Sequence, residues 1–220
     1  MVINYDQPKK KWGEKMIDKI TESLTNKIRK EMPDIDDERA EIINYGLQII
    51  IGEIPKIFIM LSIAYLLGVF KLSIMMVFIL LPYRLASGGF HLKTHIGCII
   101  STSAFYSGIP LLAKSIILNI YVKYLLVLII FVFGIIMISL YAPADTENVP
   151  IISTKERRKK KIQSYIFFTI GLATTLFIRN NIISNIIIFG YFAQTCAITR
   201  FAYKLTNNKF GYELYKEVSN

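Results

Sequence analysis

The segment Arg84–Cys98, RLASGGFHLKTHIGC, decides how this chain is read. It holds both histidines of the protein, His91 and His95, together with one of its two cysteines, an arginine and a glycine pair, and apolar sequence flanks it. Ionisable groups crowded between hydrophobic stretches mark a functional site by default, because placing them there is costly. The competing reading is an ordinary loop between two membrane helices, with Cys98 acting as a small buried hydrophobe.

Outward from this segment the chain is apolar: 53% of its 220 residues are hydrophobic and the mean hydropathy is +0.44. That composition predicts an all-α membrane protein. Candidate spans run over 42–70, from 72 onward, and over 96–113, 123–141, 162–178 and 182–203, giving about six. The second is the weakest. Its apolar part, 72–83, falls short of the roughly 20 residues that a straight crossing helix needs. Part of 84–90, with Gly88 and Gly89, is therefore expected to complete the crossing as irregular or re-entrant backbone. The corresponding division is an interfacial N-terminal region (1–40), a polytopic membrane domain (41–204) and a C-terminal tail (205–220).

Before the first span, Met16, Ile17, Ile20, Leu24 and Ile28 recur at helical spacing and predict an amphipathic helix in the headgroup plane. Pro33 with Asp34, Asp36, Asp37 and Glu38 marks a fresh helix start, where carboxylates favour the positive end of the dipole. Inside the first span, Gln48, Glu53 and Lys56 should face protein or water. Glu53 and Lys56 are spaced to pair, and Pro55 is expected to kink the helix.

The net charge of +10 is concentrated in Lys155, Arg157, Arg158, Lys159, Lys160 and Lys161, between apolar segments. This is a positive-inside signal and not the footprint of a nucleic-acid binder. It places that run, both termini and 84–95 in the cytoplasm, and it can also attract anionic headgroups or an acidic peptide. Cys98 and Cys196 form no C-x-x-C pair and suggest no disulfide framework. No cleavable signal peptide, phosphate loop, G-x-S-x-G elbow or H-E-x-x-H helix is visible, and no cofactor is expected.

Cysteine chemistry requires a thiolate, of which an isolated thiol with a pKa near 8.5 supplies only a few per cent at neutral pH. A base or a positive charge nearby is needed, and His91, His95 and Arg84 are available. In one continuous helix His91 and Cys98 would be about 10 Å apart along the axis, too far for proton transfer, whereas His95 would neighbour Cys98. If His91 is the base, the helix must begin after it, near Thr94, which is a suitable N-cap. The same residues, as H-x3-H-x2-C, also offer three ligands for a metal ion. A transporter or a metal- or peptide-binding protein using His91, His95 and Cys98 without chemistry is the alternative function.

Arg84, the GGFH run from Gly88 to His91, and Cys98 seven residues later resemble the accessory gene regulator B (AgrB) family of membrane cysteine endopeptidases in bacterial peptide quorum sensing. The stretch YAPADTENVPI, Tyr141 to Ile151, followed by a basic loop, and Gln48 in the first span are also similar to that family. The resemblance implies that Cys98 is the nucleophile and His91 its base. The substrate would be a small amphipathic precursor peptide of the AgrD type, cut to release its C-terminal part. It further implies an acyl-enzyme thioester, attacked by the precursor's own Cys or Ser to close a thiolactone or lactone ring. Arg84, Gly88, Gly89, Gln48, Lys159, Lys160 and Lys161 become supporting or substrate-binding candidates. The expected setting is the bacterial cell membrane, with the site near its cytoplasmic face; a homo-oligomer is compatible with this reading. The resemblance assigns His95 no role.

Overall fold

A computed structural model describes residues 12–32, 34–92, 94–147 and 150–213, except the side chains of 12–16, 49 and 95. Pro33, Lys93, the side chains of Met16 and His95, and the ends of the expected terminal regions, 1–11 and 214–220, lie outside the described residues. The chain divides into two units, 1–59 and 60–220, with helix α2 running through the boundary.

In the first unit the apolar stripe forms α1 (Trp12–Glu31), as its spacing predicts. Helix α2 (Asp37–Leu66) starts at the acidic cluster, where the Asp36 carboxylate accepts the Arg39 amide at 2.8 Å. Asp37 pairs with Arg29 at 2.7 Å, and the expected Lys56–Glu53 pair is present at 2.6 Å. Gln48 turns to α1, donating to Asp18 at 3.2 Å.

The second unit carries α3 (Phe70–Ser87), α4 (His95–Ser103), a π-helical turn at Ala104–Gly108, α5 (Ile109–Ser115), α6 (Ile120–Tyr141), α7 (Thr154–Thr174), α8 (Asn181–Ala197) and α9 (Arg200–Leu205). Among the described residues, four helical segments are long and apolar enough to cross a membrane: 37–66, 70–87, 96–115 and 120–141; α8 is apolar but shorter. Two expectations need correction. The stretch 84–90 does prolong the second span, but as regular helix through Ser87: α3 continues past Tyr83 and Arg84, and irregular backbone begins only at Gly88. The helix can continue because Arg84 finds hydrogen-bond partners within the protein. The segment 182–203 is not one helix either: α8 ends at Ala197, and Thr199 caps a new helix by accepting the Ala202 amide.

Helices α3, α6, α7 and α8 share a core of Met76, Leu80, Tyr83, Ile130, Phe168, Leu172, Ile186 and Tyr191. Between apolar helices in lipid, close packing and not water exclusion drives association, so small residues sit where helices meet. Gly134 is one of these: a Cβ there would overlap the Phe168 ring. Tyr83 stacks on Tyr191 at 5.4 Å and bonds its hydroxyl to Thr195 at 3.0 Å, so the phenol is buried with a partner. Outward-facing Leu125, Leu128, Ile129, Val132 and Leu140 of α6 stay exposed, a continuous apolar surface that suits lipid.

Candidate active site

Glycine ends α3. The Gly88 amide donates to Arg84 O at 3.0 Å, and Gly88 takes φ +73°, ψ −147°, a conformation that only glycine adopts readily. The chain then runs as non-helical backbone alongside the loop after α6, with Gly88 and Ala144 forming a parallel bridge. Ala144 donates to Ser87 O at 2.8 Å and accepts the Gly89 amide at 2.9 Å. Phe90 donates to Ala197 O at 3.3 Å, and the Asn208 side chain donates to His91 O at 2.9 Å. Segments far apart in sequence thus brace the backbone from Gly88 to His91.

Arg84 reinforces this bracing from the last turn of α3. Its guanidinium donates to Gln194 at 3.1 Å and to Phe90 O at 3.0 Å. Gln194, itself buried, donates to Ser87 Oγ at 3.0 Å and Gly88 O at 2.8 Å. Here a planar, permanently charged donor array is matched by fixed acceptors, so the buried polar groups are satisfied. Arg84 also lies within electrostatic reach of Cys98, Tyr106 and Tyr203.

Helix α4 begins after His91. Thr94 is extended at φ −117°, ψ 138°, and its hydroxyl accepts the Gly97 amide at 3.0 Å. The Cys98 amide closes the first helical bond onto Thr94 O at 2.8 Å. His91 and Cys98 therefore belong to two elements, a non-helical segment and a helix, and not to one helix seven residues apart. The Cys98 thiol is half-buried near the helix start, 4.0 Å from the Thr102 hydroxyl, while His91 is exposed. The H-x3-H-x2-C ligand set requires His95, whose side chain lies outside the described residues.

Behind the bridge, the Asp145 carboxylate has no exposed side-chain surface. Its Oδ2 accepts the Ile151 and Tyr212 amides at 2.9 Å each and faces Arg157 at 3.1 Å. Arg157 also donates to Pro143 O and lies 4.2 Å over the Tyr212 ring. Tyr203 donates to Ala144 O at 2.9 Å, tying α9 to the same loop. Asp145→Ala is expected to lower unfolding stability by about 3 kcal/mol, because it strands the Arg157 charge and two amides. Chemical denaturation in detergent measures this; a change within 0.5 kcal/mol, the ordinary range for surface positions, would contradict it.

The basic run lies at the same end of the helices as this site. Lys160 donates to Leu85 O at 3.2 Å and Lys161 to Ser139 O at 2.7 Å, near the C-termini of α3 and α6 where cations complement free carbonyls. Lys159 is exposed. Gln48 belongs to the first unit, with Asp18 as its partner. Sequence reasoning missed Gln194, Asp145 and Asn208. A lone buried amide in apolar sequence was the readable signal for Gln194; the other two become visible only through tertiary contacts.

A sequence model of the family described as accessory gene regulator B matches residues 21–198. A putative AgrB-like protein of Listeria innocua is 31% identical over 184 residues, 82% of this chain and 88% of that protein. Another from Clostridium acetobutylicum is 26% identical over 197 residues, 89% of this chain and 91% of its own length. Accessory gene regulator protein B of Staphylococcus aureus is 28% identical over 143 residues, 65% of this chain and 70% of that protein. No solved structure matches the chain. The family match spans the helices from α1 to α8, including the braced GGFH segment and Cys98, and the chain belongs to the accessory gene regulator B family.

Proposed function

We propose that this protein is an integral-membrane cysteine endopeptidase of peptide quorum sensing, with Cys98 as nucleophile and His91 as its base. The observation that carries this reading is the helix start at Thr94. It separates the non-helical His91 segment from the Cys98 helix, the arrangement a His91 base requires.

His91 takes the Cys98 proton, and the thiolate adds to the scissile carbonyl of the precursor peptide. The C–N bond breaks, the departing amine takes the proton from His91, and the acyl group stays on Cys98 as a thioester. The precursor's own Cys thiol or Ser hydroxyl then attacks the thioester carbonyl. A thiolactone or lactone ring closes and Cys98 Sγ leaves with a proton returned to it. Exclusion of water lets cyclisation outrun hydrolysis, and a half-buried thiol beside the membrane suits that need.

Arg84, Gly88 and Gly89 serve this chemistry as positioning residues, holding the His91 backbone. The Lys159–Lys161 run marks the cytoplasmic side by the positive-inside rule and draws anionic substrate toward it. Gln48 acts through the N-terminal unit, where it ties α2 to α1. Purified protein in proteoliposomes, incubated with a candidate precursor, should release its C-terminal fragment and a cyclic peptide lighter than the linear acid by one water. Mass spectrometry reads both. Precursor bound but neither cut nor cyclised would favour the transport or binding alternative.

A further inference from the structure

Beside the His91 segment, the C-terminal part of the second unit forms an open cleft of about 550 Å³, which the peptidase chemistry above leaves unused. Arg200 and Lys204, four apart on α9, line one side. Asn207, at φ 53°, turns the chain back so that Asn208, Lys209 and Phe210 line the other. Phe210, also a lining residue, is stacked at 4.1 Å on the buried Tyr203 ring and supplies an aromatic surface.

The charge of this cleft is one-sided. Among the described residues that line it, Arg200, Lys204 and Lys209 face one carboxylate, Glu213, which is bonded to Arg200. Lys204 and Lys209 are exposed and make no ion pair among the described residues. Lys160 and Lys161 differ, since their ammonium groups are bonded to helix carbonyls. The cleft is also physically joined to the site, because Asn208, one of its walls, donates to His91 O at 2.9 Å.

We infer that this cleft binds a carboxylate-rich segment of the peptide on which Cys98 and His91 act, with Lys204 and Lys209 as the charge-reading residues. This rests on the peptidase reading for the identity of the ligand. Flexible ammonium groups on both walls suit Asp and Glu side chains spaced along an extended chain, and the Phe210 ring takes the intervening aliphatic carbons. Anchoring one part of the peptide here would deliver a neighbouring bond to the segment carrying His91 and convert remote binding into positioning.

The test uses full-length protein in phosphatidylcholine nanodiscs and two synthetic fluorescent peptides, one containing a run of Asp and Glu and the other its Asn/Gln counterpart. Anisotropy gives the ratio of their affinities without any need for turnover. The wild type should prefer the acidic peptide, and Lys204→Gln/Lys209→Gln should cut that preference on the order of tenfold, while Lys204→Arg/Lys209→Arg keeps it. Added salt should erode the wild-type preference. An equal ratio in wild type and the Gln pair would overturn the assignment. So would a Gln pair that loses binding only to vesicles containing phosphatidylglycerol, which would make the cleft a lipid-headgroup site. Cleavage assayed in parallel separates the two claims: an unchanged ratio with Cys98-dependent cleavage removes this inference alone, and cleavage independent of Cys98 removes the peptidase reading.

Discussion

Cys98→Ala and His91→Ala should each lower precursor cleavage on the order of a thousandfold or more, and the double variant should be little worse than either. Alanine offers no nucleophile at position 98, and without His91 the thiol has no partner to take its proton. Cys98→Ser should fail as well, because a hydroxyl ionises far less readily than a thiol. His91 is exposed and Cys98 is half-buried, so each substitution is expected to leave insertion intact. His95→Ala should keep most activity. Initial rates, compared at matched amounts of inserted protein, read all five variants. Loss with His95→Ala and survival of His91→Ala would move the base to the first residue of α4, three before Cys98. Failure of both histidine variants, together with inactivation of the wild type by chelators, would instead favour the metal-ligand alternative.

Gly88→Ala should reduce activity on the order of a hundredfold while leaving the protein inserted. At φ +73° an alanine is strained, and its Cβ would overlap Ala144 O, the acceptor that holds Gly89. Relieving that overlap moves the non-helical segment off its bridge and displaces His91 relative to the Cys98 helix. Helix propensity offers a control: Gly46→Ala adds a methyl group with nothing within 4 Å and should leave the rate alone. Equal rates for Gly88→Ala and wild type would mean that the bridge does not position His91.

Much of this arrangement can be read from residue types. Thr94 announces the start of α4 because a hydroxyl there can accept a free helix amide, and that local chemistry survives whatever surrounds it. The acidic start of α2 and the Glu53–Lys56 pair are legible for the same local reason. The regular helix from Arg84 to Ser87, where irregular backbone is expected, is not legible because the glycine pair suggests a break and the partners of Arg84 are unknown. Gln194, which together with Phe90 O makes a helical arginine tolerable there, lies 110 residues away in sequence. The break after Ala197 was hidden by unbroken apolar composition, and only Thr199 hinted at it. The loop containing Asp145 could be recognised as a motif, but its part in bracing Gly88 and Gly89 depends on long-range backbone pairing that no spacing encodes.

Intact-protein mass spectrometry of the wild type, acid-quenched during turnover with a precursor, tests the covalent route itself. The thioester mechanism predicts an adduct equal to the N-terminal precursor fragment less one water, mapped to Cys98 after digestion, released by hydroxylamine and absent from Cys98→Ala. Efficient cleavage with no acyl group on Cys98, or with the adduct on Cys196 instead, would contradict it.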